Sequence, residues 1–194
     1  LKAFSILRSQ NNNVRLILAG PGTDKVNASE FVKKEYCEDI ICVGEIDYSQ
    51  QPNYFHASDC FCSPATGNES FGIVILEAMA SSLPVVVSDI SGYNELVVDG
   101  RRGILFEKGN AESLAFALNK TINNSKLTEK LIEEGKNFSK NYDWQNLVEK
   151  IKNILCEKDS IETIGRRALD SAKKMPIDEY GSRMVKELLK TVMS

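Results

Sequence analysis

Five short apolar runs constrain this chain more than any other feature: Val14–Ala19, Ile40–Val43, Cys60–Ser63, Pro84–Val87 and Ile104–Phe106. A strand with one wet face alternates apolar and polar residues with a period of two. These runs hardly alternate, so both their faces are buried. That is the condition of a parallel sheet covered by helices on two sides. The intervening and following segments carry helical patterning, at about Lys25–Cys37, Gln51–Ala57, Phe71–Ser81, Ala111–Ile122, Lys126–Ser139 and Asp143–Leu155. The expected fold is α/β, a doubly wound parallel sheet. Such sheets bind ligands beyond the carboxyl ends of their strands. The informative loops are therefore those after Ala19, Val43, Ser63 and Val87.

The 194 residues suit one domain of ordinary size with a real core. A net charge of −3 argues against nucleic acid as a partner, because phosphate backbones reward a basic face. No apolar run approaches the ~18 residues that span a bilayer. The chain opens at Leu1 in what reads as mid-helix, without an initiator Met or a signal peptide, and is expected to be part of a longer protein. Five scattered cysteines fit a reducing, cytoplasmic compartment better than a disulfide framework. Cys60 and Cys62 sit in an apolar strand with no second pair and no nearby histidine, so they read as core residues and not as zinc ligands.

The segment Ser63-Pro-Ala-Thr-Gly-Asn-Glu-Ser-Phe-Gly-Ile-Val-Ile-Leu-Glu-Ala-Met-Ala80 carries the chemistry. It places Glu69 at the end of a loop and Glu77 on the following helix. Paired carboxylates that act on one glycosidic bond lie roughly 5 to 9.5 Å apart, whereas eight helical residues span about 12 Å. The two groups fit better as opposite ends of one extended ligand. The helix start between them, at Ser70, Phe71 and Gly72, offers free N–H groups and a partial positive charge suited to a phosphate. Glu77 then either grips a ribose diol or is a solvated helix residue, and spacing alone leaves both open. No Asp-x-Asp pair occurs in the chain to bring a metal to a diphosphate, so no metal and no cofactor are expected.

The run Glu69-Ser-Phe-Gly-Ile-Val-Ile-Leu-Glu77 resembles the Glu-x7-Glu signature of retaining glycosyltransferases with the GT-B fold, whose C-terminal, Rossmann-like domain binds a nucleotide-sugar. Val14–Gly20, Ile41–Gly44, Leu83–Asp89, Gly92–Gly100, Arg102–Phe106 and Phe138–Trp144 resemble successive parts of the same domain, over about residues 1–156. The resemblance implies that Glu69 faces the donor sugar, in the catalytic centre. It implies that Gly20 lies in the strand-end turn of the site, and that Ser70, Phe71, Gly72 and Ile73 offer backbone N–H groups to sugar or phosphate. It further implies that Glu77 holds the ribose and that the backbone of Ile46 meets the base. Asp47 is open to two roles, guanine recognition or capping of the next helix.

The loop Ser58–Pro64 with Thr66-Gly67 is most similar to phosphatidylinositol mannosyltransferases, which implies GDP-mannose as donor in preference to a UDP-sugar. The acceptor would be a lipid or a glycan, bound by an N-terminal domain of the same chain that these residues lack, with the whole protein peripheral at the inner face of the membrane. The family's Arg and Lys that clamp the diphosphate would precede Leu1. His56 does not replace the family's catalytic His, and Arg101 and Arg102 read as residues of a solvated loop. The same site would also serve an epimerase or a non-catalytic nucleotide-sugar-binding module. Residues 157–194 depart from the family pattern. Ile161, Ile164, Ala168, Ala172 and Met175, then Tyr180, Met184, Leu188 and Val192, recur at helical spacing and are expected to form a helical extension that packs on a domain.

Overall fold

The computed structural model describes residues 1–143 except 12, 68 and 70, together with 146 and 148. The chain divides at Tyr142, and the account below concerns the first unit, Leu1–Asn141. The helix expected at Asp143–Leu155, the boundary expected at 156 and the extension 157–194 lie outside the described residues.

Five strands form where the apolar runs predict them: β1 (Leu16–Ala19), β2 (Ile40–Gly44), β3 (Phe61–Ser63), β4 (Val85–Ser88) and β5 (Ile104–Phe106). All their pairings are parallel. β1 runs beside β2, with Leu16 opposite Ile40. β4 lies between β3 and β5, with Phe61 opposite Val85 and Val86 opposite Ile104. Val85, Val86 and Val87 are wholly buried, as a central strand covered on both faces requires. β-branched side chains suit that pleated, enclosed surface.

The helices are α1 (Lys2–Gln10), α2 (Gln51–His56), α3 (Ile73–Ala80), α4 (Ser91–Asn94), α5 (Ala111–Ile122) and α6 (Ser125–Ser139). α1 packs on α5, and α3 on α6. Phe4 and Leu7 of α1 join Val14, Val32 and Tyr36 in one apolar cluster. Ala117 of α5 and Leu131 of α6 join Val86, Ile104 and Phe106 in another. Asn110 caps α5 by accepting from the Ser113 N–H at 2.9 Å, and Asn124 caps α6 from the Leu127 N–H at 3.1 Å. Each such cap contributes about 1 kcal/mol. No helix of the described residues is long and apolar enough to cross a membrane.

Two elements differ from expectation. The helix expected over Lys25–Cys37 is instead three 3-10 turns, Thr23–Lys25, Ala28–Glu30 and Lys34–Asp39. Val26 and Lys33 are extended and break the run. Asn27 draws the local polar groups to itself, donating to Glu30 and accepting from Ser29. Val32 and Tyr36 are the buried residues of this stretch, with Ala28 and Cys37 half-buried against them, and these contacts do not anchor a continuous helical face. The helix expected from Phe71 begins at Ile73, because Gly72 takes a left-handed conformation at φ +80°.

Candidate functional site

The loop from Pro64 to Gly72 leaves the carboxyl end of β3 and delivers the chain to α3. It rests on the segment that follows β4. At its start, the Ser63 hydroxyl and the Tyr93 phenol share a 2.7 Å hydrogen bond. Next, the Ser88 hydroxyl donates a short bond to the Ala65 carbonyl, with the Ser63 carbonyl 3.4 Å away. Further along, Gly92 lies directly under the backbone of Glu69. At the end, Gly72 lies against the Tyr93 ring: a Cβ there would stand 2.9 Å from Tyr93 Cε1 and 3.0 Å from Ile75 Cδ1. Tyr93 is 1 % exposed and touches both the start and the end of the loop. Its phenol is pushed above the usual tyrosine range chiefly by burial, opposed by the Ser63 hydrogen bond, with the Glu69 carboxylate adding to the rise.

The two signature carboxylates are seated differently. Glu77 is half-buried on α3, and both its oxygens are held. Gln51 Nε2 donates to one at 2.8 Å, and the Tyr48 phenol donates to the other at 3.3 Å. Tyr48 comes from the β2–α2 connection, and Gln51 is the first residue of α2. Glu69 is exposed and rests over the α4 turn. Each carboxylate thus belongs to a different border of the site, and no contact draws them onto one atom.

Between them, α3 begins at Ile73 with Gly72 as its cap residue. The Ile75 N–H is taken by the Gly72 carbonyl at 2.9 Å. The first-turn N–H groups have no acceptor within the helix, and the helix dipole places partial positive charge there. The helix start thus lies at Ile73, with the backbone of Phe71 and Gly72 leading into it. Ser70 lies outside the described residues. Ile73 presents an exposed side chain beside this start.

Gly20 ends β1 in a turn, at φ +127° with open space where a Cβ would stand, and its N–H donates to the Gly44 carbonyl at 2.7 Å. Thr23 ties the same turn to β2: its hydroxyl donates toward the Gly20 carbonyl and accepts from the Gly44 N–H at 3.0 Å. Ile46 follows in the loop between β2 and α2, half-buried. Asp47 Oδ1 accepts from both the hydroxyl and the N–H of Ser49, at 2.6 and 2.8 Å. Those bonds, the hydroxyl first, hold its carboxyl below the usual range. One Asp47 oxygen is thus committed to a turn ahead of α2, whose cap residue is Gln50 with no side-chain capping bond, so the side-chain capping open to Asp47 in the sequence is not formed.

Several residues fall away from the chemistry. His56 Nδ1 is bonded to the Pro52 carbonyl of its own helix at 2.6 Å. Arg101 pairs with Glu134 at 3.2 Å. Arg102 corrects the solvated-loop expectation. Its guanidinium donates to the carbonyls of Leu96 and Glu95 at 2.9 and 3.1 Å and stacks 3.9 Å from the Phe138 ring centroid. Two carbonyls and an aromatic face outcompete solvent for a planar cation. Burial pushes the Cys62 thiol up to about 12 and the Cys60 thiol higher still. Among the described residues no three His, Cys, Asp or Glu side chains converge as a metal site would need. Ser88, Gly92, Tyr93, Gln51 and Tyr48 escape sequence reasoning, since each acts through a partner at least 23 residues away.

Residues 1–138 match the family model described as "Glycosyl transferases group 1". The phosphatidyl-myo-inositol mannosyltransferase of Mycobacterium leprae is 32 % identical over 143 residues, covering 74 % of this chain and 38 % of that protein. An uncharacterized glycosyltransferase of Methanocaldococcus jannaschii is 31 % identical over 140 residues, covering 72 % of this chain and 40 % of that protein. The chain thus spans about two-fifths of the length of these relatives. Among solved structures, Anabaena Alr3699/HepE in complex with UDP and glucose superposes with a TM-score of 0.68 at 24 % identity, over 80 % of this chain and 44 % of that one.

Proposed function

Since the chain belongs to the glycosyl transferases group 1 family, we propose that it is the donor-binding part of a retaining hexosyltransferase. The observation that carries this reading is the arrangement around α3: a helix start between Glu69, exposed over the α4 turn, and Glu77, clamped by Gln51 and Tyr48. One nucleotide-sugar fills that arrangement. Its ribose hydroxyls donate to Glu77, its diphosphate lies at the first-turn N–H groups of α3, and its sugar faces Glu69. The backbone at Ile46 and the Gly20 turn border the base and the ribose.

In the transfer, the bond between the anomeric carbon and the diphosphate oxygen breaks, and its electron pair leaves with the nucleoside diphosphate. The acceptor hydroxyl oxygen bonds the same carbon, on the same face, and its proton passes to the departing diphosphate oxygen. Preorganised N–H donors at α3 stabilise the charge that grows on the leaving oxygen. The lack of an Asp-x-Asp pair in the sequence supports a metal-independent diphosphate site. Mannose carried by GDP is the proposed donor, on the similarity to relatives named as phosphatidyl-myo-inositol mannosyltransferases. The proposed acceptor is a lipid or glycan, met by a further domain of the longer protein.

Calorimetry of the chain with GDP and with UDP, each with and without EDTA, tests the reading. GDP binding that survives the chelator is the expected result. Binding abolished by EDTA overturns metal independence, tighter UDP overturns the base assignment, and binding of neither overturns the donor site itself.

A further inference from the structure

Gly92 is set apart from the other glycines of the unit by what lies above it. A Cβ built there would fall on the Glu69 carbonyl oxygen and lie 2.9 Å from the carbonyl carbon. Real Cβ atoms do not approach backbone so closely, and backbone cannot swing aside as the tip of a long side chain does. The glycine is not explained by its own conformation, since its φ is not positive. Its lack of a side chain is explained by the close approach of the Glu69 backbone alone.

Two more contacts join the same pair of segments. Ser88, wholly buried at the end of β4, donates to the Ala65 carbonyl. Tyr93, next to Gly92, holds Ser63. The loop is therefore seated at Ser63, Ala65, Glu69 and Gly72 on the segment from Ser88 to Tyr93, and the seat is closest under Glu69. By contrast, the partners of Glu77 are Tyr48, ahead of α2, and Gln51, at the start of α2, which this seat does not include.

We propose that Ser88 and Gly92 are positioning residues that set the height and orientation of Glu69, and that they govern the sugar end of the donor site without governing its nucleotide end. The inference rests on the donor-site reading above. An alanine at 92 must lift the Glu69 backbone by the depth of a methyl group, and the carboxylate moves with it. An alanine at 88 frees the Ala65 carbonyl and loosens the same loop near its start.

The test compares GDP with GDP-mannose on the unmodified chain, Gly92→Ala and Ser88→Ala, by calorimetry, with Ser91→Ala as a neighbouring control. Ser91 is exposed and carries none of the three contacts. The expected result is a GDP affinity within about threefold of the unmodified chain for every variant. Gly92→Ala and Ser88→Ala should each lose about tenfold or more in GDP-mannose affinity, equivalent to ~1.4 kcal/mol or more, while Ser91→Ala keeps both ligands. Combining Gly92→Ala with Glu69→Ala should add little to the loss from Glu69→Ala alone. If Gly92→Ala does not fold, Ser88→Ala decides by the same selective loss.

Variants that bind GDP-mannose as the unmodified chain does overturn the inference while leaving the donor site standing. Equal losses of GDP and GDP-mannose overturn it as well, because they mark a general loosening. An unmodified chain that holds GDP-mannose no tighter than GDP denies Glu69 a share in binding, and the inference falls. A chain that binds neither ligand removes the donor site and the inference together.

Discussion

Replacing Gly72 with alanine separates two costs that a buried left-handed glycine usually confounds. Gly72 has φ +80°, and a Cβ there would stand 2.9 and 3.0 Å from Tyr93 ring atoms and 3.0 Å from Ile75 Cδ1. The left-handed conformation alone costs a non-glycine residue about 1–2 kcal/mol. The contacts add to this, because neither neighbour can yield. Tyr93 is 1 % exposed and tied to Ser63, and Ile75 is fully buried. Forcing a methyl group into such a packed site costs about 1–3 kcal/mol. Gly72→Ala is therefore expected to destabilise the unit by about 2–5 kcal/mol.

Gly100 supplies the control. Its φ is +67°, and nothing lies within 4 Å of its would-be Cβ. Gly100→Ala should cost only the conformational share, about 1–2 kcal/mol. Urea denaturation followed by circular dichroism gives both values, provided the m-values match. The difference between the variants is the packing cost at Tyr93. Equal destabilisation would show that Gly72 is kept for its backbone conformation alone, and the close seating of the α3 start on Tyr93 would carry no energy.

Other expectations follow from the same geometry. Glu77→Gln should weaken free GDP binding by about 1–3 kcal/mol, the range for losing a charged hydrogen-bonding group, whereas Glu69→Gln should hardly change it; calorimetry that finds equal losses would contradict the separate seating of the two carboxylates. Gln51→Ala should lower GDP affinity more than Tyr48→Phe, since Gln51 holds Glu77 at 2.8 Å against 3.3 Å for the exposed Tyr48, and the reverse order would reassign the clamp. Arg102→Ala should destabilise the unit by about 1–3 kcal/mol through lost hydrogen bonds and ring stacking, and Arg102→Lys should recover little in a thermal melt, because an ammonium cannot form the planar fork. The raised thiols of Cys60 and Cys62 imply a pH slope. Folded Cys62 keeps its proton to about 12, while the unfolded chain releases it from its ordinary 9.0. The stabilisation is full below pH 9 and declines as pH rises from there toward 12. Replacing Cys60 and Cys62 with alanine should flatten denaturation midpoints measured between pH 8 and 10, and an unchanged slope would assign it to other groups.

The strands were the most legible part of the chain, because a doubly buried strand leaves an unbroken apolar run such as Val85-Val86-Val87. Boundaries set by backbone dihedrals were less legible. Nothing in the apolar pattern around Phe71 and Ile73 announces that Gly72 turns left-handed and delays α3. The stretch Lys25–Cys37 misleads because its polar residues are compatible with a helix, while the decisive events are local bonds at Asn27 and extended residues at Val26 and Lys33. Within the site, Glu69, Gly72 and Glu77 stand out because one segment carries all three. Their supports do not, since Gln51, Ser88 and Gly92 reach them through space. Arg102 was misjudged for the same reason: the Phe138 ring that holds it comes from α6.

The central position of β4 has a consequence for synthesis. Its Val-Val-Val run has the β propensity and lack of charge that favour intermolecular strand pairing, and native burial hides it completely. During translation β3 can cover one edge of it as soon as β4 is made, but the other edge stays open until Ile104–Phe106 has left the ribosome. Parallel partners close slowly, because each pairing waits on a crossover segment. Pro84, which has no N–H to offer a foreign strand, stands immediately before the run. A nascent chain stalled between β4 and β5 is the form of this protein most exposed to aggregation, and slowing elongation there should lower its soluble yield more than the same delay placed after β5.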